Sequence, residues 1–197
     1  SDSNWTIAAT LRLIDPAGSD IIWAGTSYPI HWTTTGTISN VKLIYSTNSG
    51  GAYNYTIIDS TPNTGTYNWT VPTTPTINCR VKVADVQGLA IESASGSDVK
   101  IYGIQLISPN GGENWTVGTI HSLSWTWQGS VSQVVLDYST NGGQDNYPYS
   151  ISPIYTNNGT FNWIVPDALS TQARVRVAKS GQTSGNATSQ ANFTISA

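Results

Sequence analysis

The chain has 197 residues, enough for two domains of about 100 residues that each bury a core. Only 10% of the residues are charged and the net charge is −3, which excludes the basic surface that a nucleic acid partner requires. No apolar run approaches the roughly 20 residues needed to cross a bilayer, so we expect no membrane insertion of this segment.

The first nine residues contain Asn4-Trp5-Thr6-Ile7, which is similar to Asn192-Phe193-Thr194-Ile195 near the end of the chain. Two interpretations follow from this echo. Residues 1–9 are the last strand of a preceding repeat, or they are an ordinary first strand.

Between residues 10 and 102, apolar and polar residues alternate, as is typical of strands that bury one face. The predicted inward sets are Tyr28/Ile30/Trp32, Val41/Leu43/Tyr45, Tyr67/Trp69/Val71 and Cys79/Val81/Val83. Turn formers such as Asn48-Ser49-Gly50-Gly51 separate these runs. Cys79 is the only cysteine, so no intramolecular disulfide can form, and its alternation with charged neighbours predicts an inert buried thiol.

Residues 103–197 repeat the pattern of the first half. Trp32-Thr33 returns as Trp125-Thr126 at an offset of 93 (125 − 32), and Asn68-Trp69 returns as Asn162-Trp163 at an offset of 94 (162 − 68). One residue is therefore inserted in the loop between these two points. The tryptophans at repeated inward positions are predicted to form the structural core; they are Trp32, Trp69, Trp125 and Trp163.

About seven short strands in each repeat, without any helical period, predict an all-β chain of two tandem sandwiches over residues 10–102 and 103–197. The expected fold is of the immunoglobulin or fibronectin III type. No flexible tract separates the repeats, since the last strand of one passes into the first strand of the next between Val99 and Ile107 with only Gly103 to bend, so we expect a stiff connection.

The motifs Ser108-Pro109-Asn110-Gly111-Gly112-Glu113-Asn114-Trp115 and Phe161-Asn162-Trp163-Ile164-Val165-Pro166 resemble those of a known module. It is similar to the Ser/Thr-rich GPI-anchored fungal cell-wall family, which includes β-glucan assembly proteins, and to its bacterial and archaeal relatives in surface proteins. The first repeat departs from the opening motif in the stretch from Asp15 to Trp23. The resemblance implies an immunoglobulin-like fold and an extracellular location, and it supplies no catalytic residues.

Catalysis requires convergent groups, such as two carboxylates roughly 5–10 Å apart for glycoside hydrolysis. The acids here are few, and neither His31 nor His121 occupies a repeated position. We therefore predict no catalytic residue, no enzyme activity and no cofactor. Asp15 with Asp20, and the loop that contains Asp145, are the best Ca²⁺ candidates, but turn chemistry explains them better and no metal site is predicted.

Aromatic residues outside the core are candidates for stacking on sugars. Tyr53 and Tyr55 occupy the same region of the first repeat as Tyr147 and Tyr149 do in the second, and the i, i+2 spacing predicts that each pair shares one strand face. The alternative is ordinary edge-strand packing. Two tryptophans of loops or edge strands complete the candidate sugar-binding set, namely Trp23 and Trp115.

Two functions are consistent with these features. The first is a non-catalytic structural or adhesive spacer of a larger cell-surface or secreted repeat protein, with neighbouring repeats as its partners. The alternative is a carbohydrate-binding module of a secreted hydrolase or cell-wall assembly protein, with cell-wall polysaccharide as its partner. Both predict an extracellular or cell-surface location.

Overall fold

A computed structural model describes residues 9–87, 90–182 and 185–197, which form strands, turns and irregular loops. The segment predicted for residues 1–9 lies outside the described residues, except for Ala9. Within the described ranges there is no helix that is long and apolar enough to span a membrane.

Strands occur throughout both repeats. In the first half they are β1 (Thr10–Asp15), β2 (Ile21–Trp23), β3 (Ser27–Thr35), β4 (Asn40–Ser46), β5 (Tyr55–Pro62), β6 (Thr66–Thr70), β7 (Thr76–Asp85), β8 (Glu92–Ala94) and β9 (Val99–Ser108). In the second half they are β10 (Asn114–Thr116), β11 (Ile120–Gln128), β12 (Gln133–Ser139), β13 (Tyr149–Thr156), β14 (Thr160–Ile164), β15 (Ser170–Lys179), β16 (Ala187–Thr188) and β17 (Phe193–Ser196). Each half thus has more strands than the seven or so predicted. The additional ones are β2, β8, β10 and β16, which are only two or three residues long.

The contacts divide the chain into two compact units. The first comprises Ser27–Val71, Thr76–Ile101 and the described residues up to Ile22. The second comprises Tyr102–Ala197 together with two short segments of the first repeat, Trp23–Thr26 and Pro72–Pro75.

The first unit consists of two sheets. One has the order β1-β3-β6, and the other has the order β5-β4-β7-β9, with β8 paired to β7 and β2 paired to β9. The register joins the buried Leu13 to the buried Trp32, and the half-buried Tyr28 to the buried Trp69, so inward residues of neighbouring strands lie side by side. Val41, Leu43, Val81 and Val83 supply a second inner face with no exposed surface.

The second unit repeats these pairings strand for strand. β9, β11 and β14 form one sheet, and β13-β12-β15-β17-β10 form the other, with β16 paired to β15. Its core contains Leu106, Leu123, Trp125, Val175 and Phe193 among other buried residues. Burial of each such aliphatic or aromatic side chain stabilises the fold by about 1.5–3 kcal/mol.

Both units are β-sandwiches of the immunoglobulin or fibronectin III type. Each pairs a sheet of three strands with a larger sheet, and the alternation of buried and more exposed residues along β3 and β11 turns one face of each strand inward. The four repeated tryptophans are buried, since they retain at most 6% exposure.

Candidate functional site

A tryptophan–asparagine hydrogen bond recurs in both units. Trp32 Nε1 donates to Asn63 Oδ1 at 2.7 Å, and Trp125 Nε1 donates to Asn157 Oδ1 at 2.8 Å. Each asparagine also donates to a backbone carbonyl, that of Ile38 in the first unit. Sequence reasoning missed both asparagines, although they recur at the offset of 94 (157 − 63) that locates the second half of each repeat.

The turn after β4 and β12 is also the same in both units. Ser46 Oγ donates to Asn48 Oδ1 at 2.6 Å and accepts from the backbone N–H of Gly50 at 3.0 Å. Ser139 and Asn141 make the equivalent bond at 2.9 Å. These repeated Ser and Asn residues therefore stabilise a turn rather than bind a ligand.

An arginine on β7 or β15 fixes the last loop of each unit. Arg80 Nε donates to Asp98 Oδ1 at 2.9 Å, and Arg174 Nε donates to Asn192 Oδ1 at 2.7 Å. Hydrogen bonds from Arg80 and from Ser49 hold the pKa of Asp98 below its ordinary value of 3.8. The geometry is shared by the two units, whereas the titratable acid is present only in the first.

The predicted tyrosine pairs do not share a strand face. Tyr55 stacks on Tyr45, with ring centroids 4.8 Å apart, and Tyr45 packs against the buried Trp69 on the inner side. Tyr53 precedes β5, and its ring lies 4.2 Å from the Nζ of Lys82. Because Lys82 lies between two buried valines on β7, it points to the outer face, so the prediction of a common face is wrong.

The second unit separates its pair in the same way. Tyr149 stacks on Tyr138 at 5.0 Å, while Tyr147 lies over the guanidinium of Arg176, with 5.0 Å between Cζ and the ring centroid. Tyr147 adopts a φ of 57° outside any strand, which breaks the alternation on which the prediction depended. Tyr55 and Tyr149 each remain 46% exposed, and their role in sugar binding stays a prediction.

Trp115 is a core residue, which corrects its placement in the candidate sugar-binding set. It is only 6% exposed, stacks on His121 at 4.4 Å and contacts Trp163 and Phe193. The strand β10 turns it inward, and a buried ring face cannot stack on a sugar. Trp115 aligns with Ile22 of the first repeat (115 − 22 = 93), which is also buried. An apolar residue at both positions was the sequence signal for a core site.

Trp23 belongs to the second unit and is half-buried. Its ring contacts the edge of Tyr102, with centroids 6.2 Å apart, and lies 5.0 Å from the Nζ of Lys179. The ring is thus engaged in packing and in a cation–π contact. A sugar-binding role for Trp23 also stays a prediction.

The three Ca²⁺ candidates have other partners. Asp15 Oδ2 lies 3.3 Å from His31 Nδ1, Asp20 Oδ2 accepts from the N–H of Gly18 at 3.1 Å, and Asp145 Oδ1 accepts from the N–H of Tyr147 at 3.2 Å. Among the residues that the structure describes, no three His, Cys, Asp or Glu side chains come together as a metal site would require.

The Pro-Asn-Gly-Gly-Glu motif forms a closed turn. The carboxylate of Glu113 accepts from the backbone N–H groups of Asn110 at 2.7 Å and Gly111 at 2.8 Å. Asp20 occupies the repeat position of Glu113 (113 − 20 = 93) and performs the same task on Gly18. The two repeats therefore form this turn with different acidic residues.

The outer face of the second unit carries the most distinctive polar group. Asp137 and Arg176 are cross-strand neighbours on β12 and β15, with Nη2 and Oδ2 2.8 Å apart. Asn146 Oδ1 accepts from Arg176 Nη1 at 3.2 Å. Asp137, Asn146, Tyr147 and Arg176 are hereafter the Arg176 cluster; nothing in the sequence brought them together, because the loop insertion that positions Asn146 has no counterpart.

No protein-family model matches the sequence, and no curated protein matches it. Among solved structures, the chain is similar to fibronectin(III)-like modules of Clostridium thermocellum CbhA (13% identity, 95% of this chain and 94% of that chain, TM-score 0.33). It is also similar to Bacteroides ovatus SGBP-B from a mixed-linkage glucan utilization locus, in complex with a mixed-linkage heptasaccharide (15% identity, 94% of this chain, TM-score 0.33). The chain spans 46% of that second protein.

These likenesses are too distant to carry an argument about function. The fold is established by the strand pairing of the two units, and the resemblance to the Ser/Thr-rich cell-wall family stays a prediction.

Proposed function

We propose that this chain is a non-catalytic spacer of a larger extracellular or cell-surface repeat protein, whose task is to hold other parts of that protein at a distance under load. Its partners in this role are neighbouring repeats of the same protein. The observation that carries the proposal is the parallel pairing of an early strand with the last strand in each unit.

In the second unit, β10 and β17 pair in parallel, with Asn114 opposite Thr194 and Thr116 opposite Ser196. The residues that flank β10 add two bonds to β17: the N–H of Thr194 donates to the carbonyl of Glu113 at 2.8 Å, and the N–H of Val117 donates to that of Ser196 at 2.9 Å. A force that pulls the two ends of the unit apart draws these strands in opposite directions along their axes. The bonds are then loaded together in shear and resist as a group.

The first unit has the corresponding bonds where β2 and β9 begin, and β2 is paired with β9. The N–H of Ser19 donates to the carbonyl of Asp98 at 2.9 Å, and the N–H of Lys100 donates to that of Asp20 at 2.8 Å. The partners advance along the chain together, as parallel strands require.

The shared side chains support the same role. The polar groups common to both units and described above stabilise turns, loops and buried indoles, so the repetition preserves a scaffold. The low charge and hydroxyl-rich composition favour an extracellular location.

One observation favours the alternative, a carbohydrate-binding module. Tyr55 and Tyr149 retain 46% exposure at equivalent positions of the two units. A pull-down on insoluble cell-wall polysaccharides, comparing the wild type with Tyr55→Ala/Tyr149→Ala, tests it. Retention that the variant loses supports the alternative, no retention of the wild type contradicts it, and retention unchanged in the variant contradicts a role of the two tyrosines.

The spacer role is tested by stretching single molecules from both termini. Each unit should unfold abruptly and lengthen the chain by about 30 nm, from about 93 residues at about 3.4 Å per residue. Thr194→Pro removes one N–H of the parallel pair, so one of the two rupture forces should fall while the other is unchanged. The matched change Lys100→Pro should act in the same way on the first unit.

Extension at low force without abrupt ruptures would contradict the spacer role. So would ruptures that Thr194→Pro and Lys100→Pro both leave unaltered, because the parallel bonds would then carry no load.

A further inference from the structure

The Arg176 cluster contains a charged pair that is largely withdrawn from solvent. Asp137 is 8% exposed, and its Oδ2 lies 2.8 Å from Nη2 and 3.3 Å from Nε of Arg176. Burial of a charged pair costs desolvation free energy that its mutual attraction often only offsets. A net gain in folding stability therefore does not explain why this pair is present.

The first unit shows that the fold does not need this pair. Ile44 occupies the position of Asp137 (137 − 93 = 44), and Lys82 occupies that of Arg176 (176 − 94 = 82). Lys82 reaches Glu92 instead, at 2.7 Å, and the Glu92 side chain is 50% exposed. The same sheet is thus built with an apolar residue and an ordinary surface ion pair.

The loop before β13 is specialised in the second unit. Its inserted residue is accommodated by two successive left-handed residues, Asn146 with φ 59° and Tyr147 with φ 57°. Such conformations cost on the order of 1–3 kcal/mol each and tend to occur at ligand-binding sites. Here they bring Asn146 onto Arg176 Nη1 and place the Tyr147 ring over the guanidinium.

A depression of about 440 Å³ opens beside the cluster, entirely within the second unit. Residues that line it include Val135, Asp137, Asn146, Arg176, Ala178 and Lys179. The volume is within the range of roughly 300–1,000 Å³ that is usual for small-ligand sites. Its lining combines a small apolar floor with several fixed polar groups.

The charge and hydrogen-bonding groups indicate the class of ligand. Asp137 neutralises Arg176, which leaves the Lys179 ammonium as the one uncompensated charge among the described lining residues, and its Nζ lies over the ring of Trp23, 5.0 Å from the centroid. Of the five N–H groups of the guanidinium, three take part in the hydrogen bonds given above for the described residues. A ligand that both donates and accepts would meet the other two next to carboxylate and amide oxygens.

We infer that this depression binds a short uncharged oligosaccharide through the Arg176 cluster. Neighbouring sugar hydroxyls each donate and accept hydrogen bonds, which matches a planar guanidinium held between a carboxylate and an amide. Tyr147 is a positioning residue that keeps the guanidinium in place. The site is additional to the spacer role, and its failure would leave that role untouched.

The test is an NMR titration of the full chain, labelled with ¹⁵N, with neutral gluco-, xylo-, manno- and galacto-oligosaccharides. At least one should cause saturable shifts at the Arg176 Nε–H and the Asn146 side-chain amide. The double variant Asp137→Ile/Arg176→Lys carries the residues of the first unit and should fold, but it should bind at least tenfold more weakly. Glu92→Gln removes the ion pair on the outer face of the first unit and should bind like the wild type.

Absence of binding by every sugar of the panel would overturn the inference. Shifts confined to other residues, or equal affinity in the double variant, would do the same. A parallel titration with inorganic phosphate should give no shift at Arg176, and saturable binding of phosphate in place of sugars would show that the site is selective for anions.

Discussion

Asn157 accepts a hydrogen bond from the indole Nε1 of the buried Trp125 at 2.8 Å, and its own amide donates to the carbonyl of Val131 at 2.8 Å. One side chain thereby satisfies a core donor and anchors the loop between β11 and β12. The same arrangement in the first unit joins Trp32, Asn63 and Ile38.

Asn157→Ala should destabilise the second unit by about 1–3 kcal/mol, because it leaves the indole N–H without its acceptor. Urea unfolding monitored by tryptophan fluorescence would measure the loss of unfolding free energy. The neighbouring change Asn158→Ala removes only exposed hydrogen bonds and should cost much less. Equal costs for the two changes would show that the bond to Trp125 contributes little.

The fold could be predicted because both repeats carry the same alternation. Trp125 repeats Trp32 at an offset of 93 (125 − 32), and Trp163 repeats Trp69 at an offset of 94 (163 − 69). The strand period of two turns all four inward. Since one face of these strands is buried, a slip of one residue would expose the whole set, so the register is strongly specified.

The candidate site could not be predicted in the same way. The exposure of Trp115 was misjudged because it follows a glycine-rich turn, although its partner Ile22 carried the correct signal. Tyr147 was misplaced because its left-handed backbone obeys no alternation. The Arg176 cluster joins a strand pair to a loop with an insertion, and a contact of that kind depends on the folded path of the loop.

Acid should weaken the first unit more than the second through Asp98. Hydrogen bonds from Arg80 and Ser49 lower the pKa of Asp98 below 3.8, so its contribution to stability is present above pH 3.8 and is lost as the pH falls through the folded-state pKa. Asp98→Asn copies the Arg174–Asn192 bond and should remove this acid dependence from the first unit. The reciprocal change Asn192→Asp should introduce it in the second.

An NMR titration of the carboxyl groups would check this prediction, with the indole signals of Trp32 and Trp125 reporting on the two units separately. A pKa of Asp98 at or above its ordinary value would contradict it, as would acid unfolding that Asp98→Asn leaves unaltered.

Cys79 should be inert in the folded protein. Burial, with a smaller effect of Asp98, raises the pKa of its thiol from 9.0 to about 12, so the reactive thiolate is scarce at mildly alkaline pH. An aromatic disulfide reagent should therefore label it only in concentrated guanidinium chloride. Because the folded-state pKa is the higher one, the contribution to stability is complete below about pH 9 and is lost as the pH rises toward 12.

Cys79→Ala provides the control, because Ala173 occupies the equivalent buried position in the second unit (173 − 79 = 94). The variant should fold and lack the alkaline loss that the thiol causes. Rapid labelling of the native wild type would refute the assignment of an inert thiol.

Gly129→Ala should destabilise the second unit far more than Gly118→Ala. Both glycines have left-handed backbones, with φ values of 89° and 77°, so each substitution incurs a similar conformational cost of about 1–2 kcal/mol. A Cβ at Gly118 meets no atom within 4 Å, whereas a Cβ at Gly129 would lie 2.6 Å from Cγ of Tyr102. Rotation of the ring about χ2 leaves Cγ in place, so relief requires a different χ1 rotamer of Tyr102 or a shift of the backbone, and the overlap should add about 1–3 kcal/mol.

Urea unfolding of the two variants isolates that steric cost as the difference between them. Adding Tyr102→Ala removes the obstructing ring, so the penalty of Gly129→Ala measured in that background should fall to the value for Gly118→Ala. A penalty that persists without the ring would show that the backbone conformation of Gly129, and not its contact with Tyr102, excludes a side chain there.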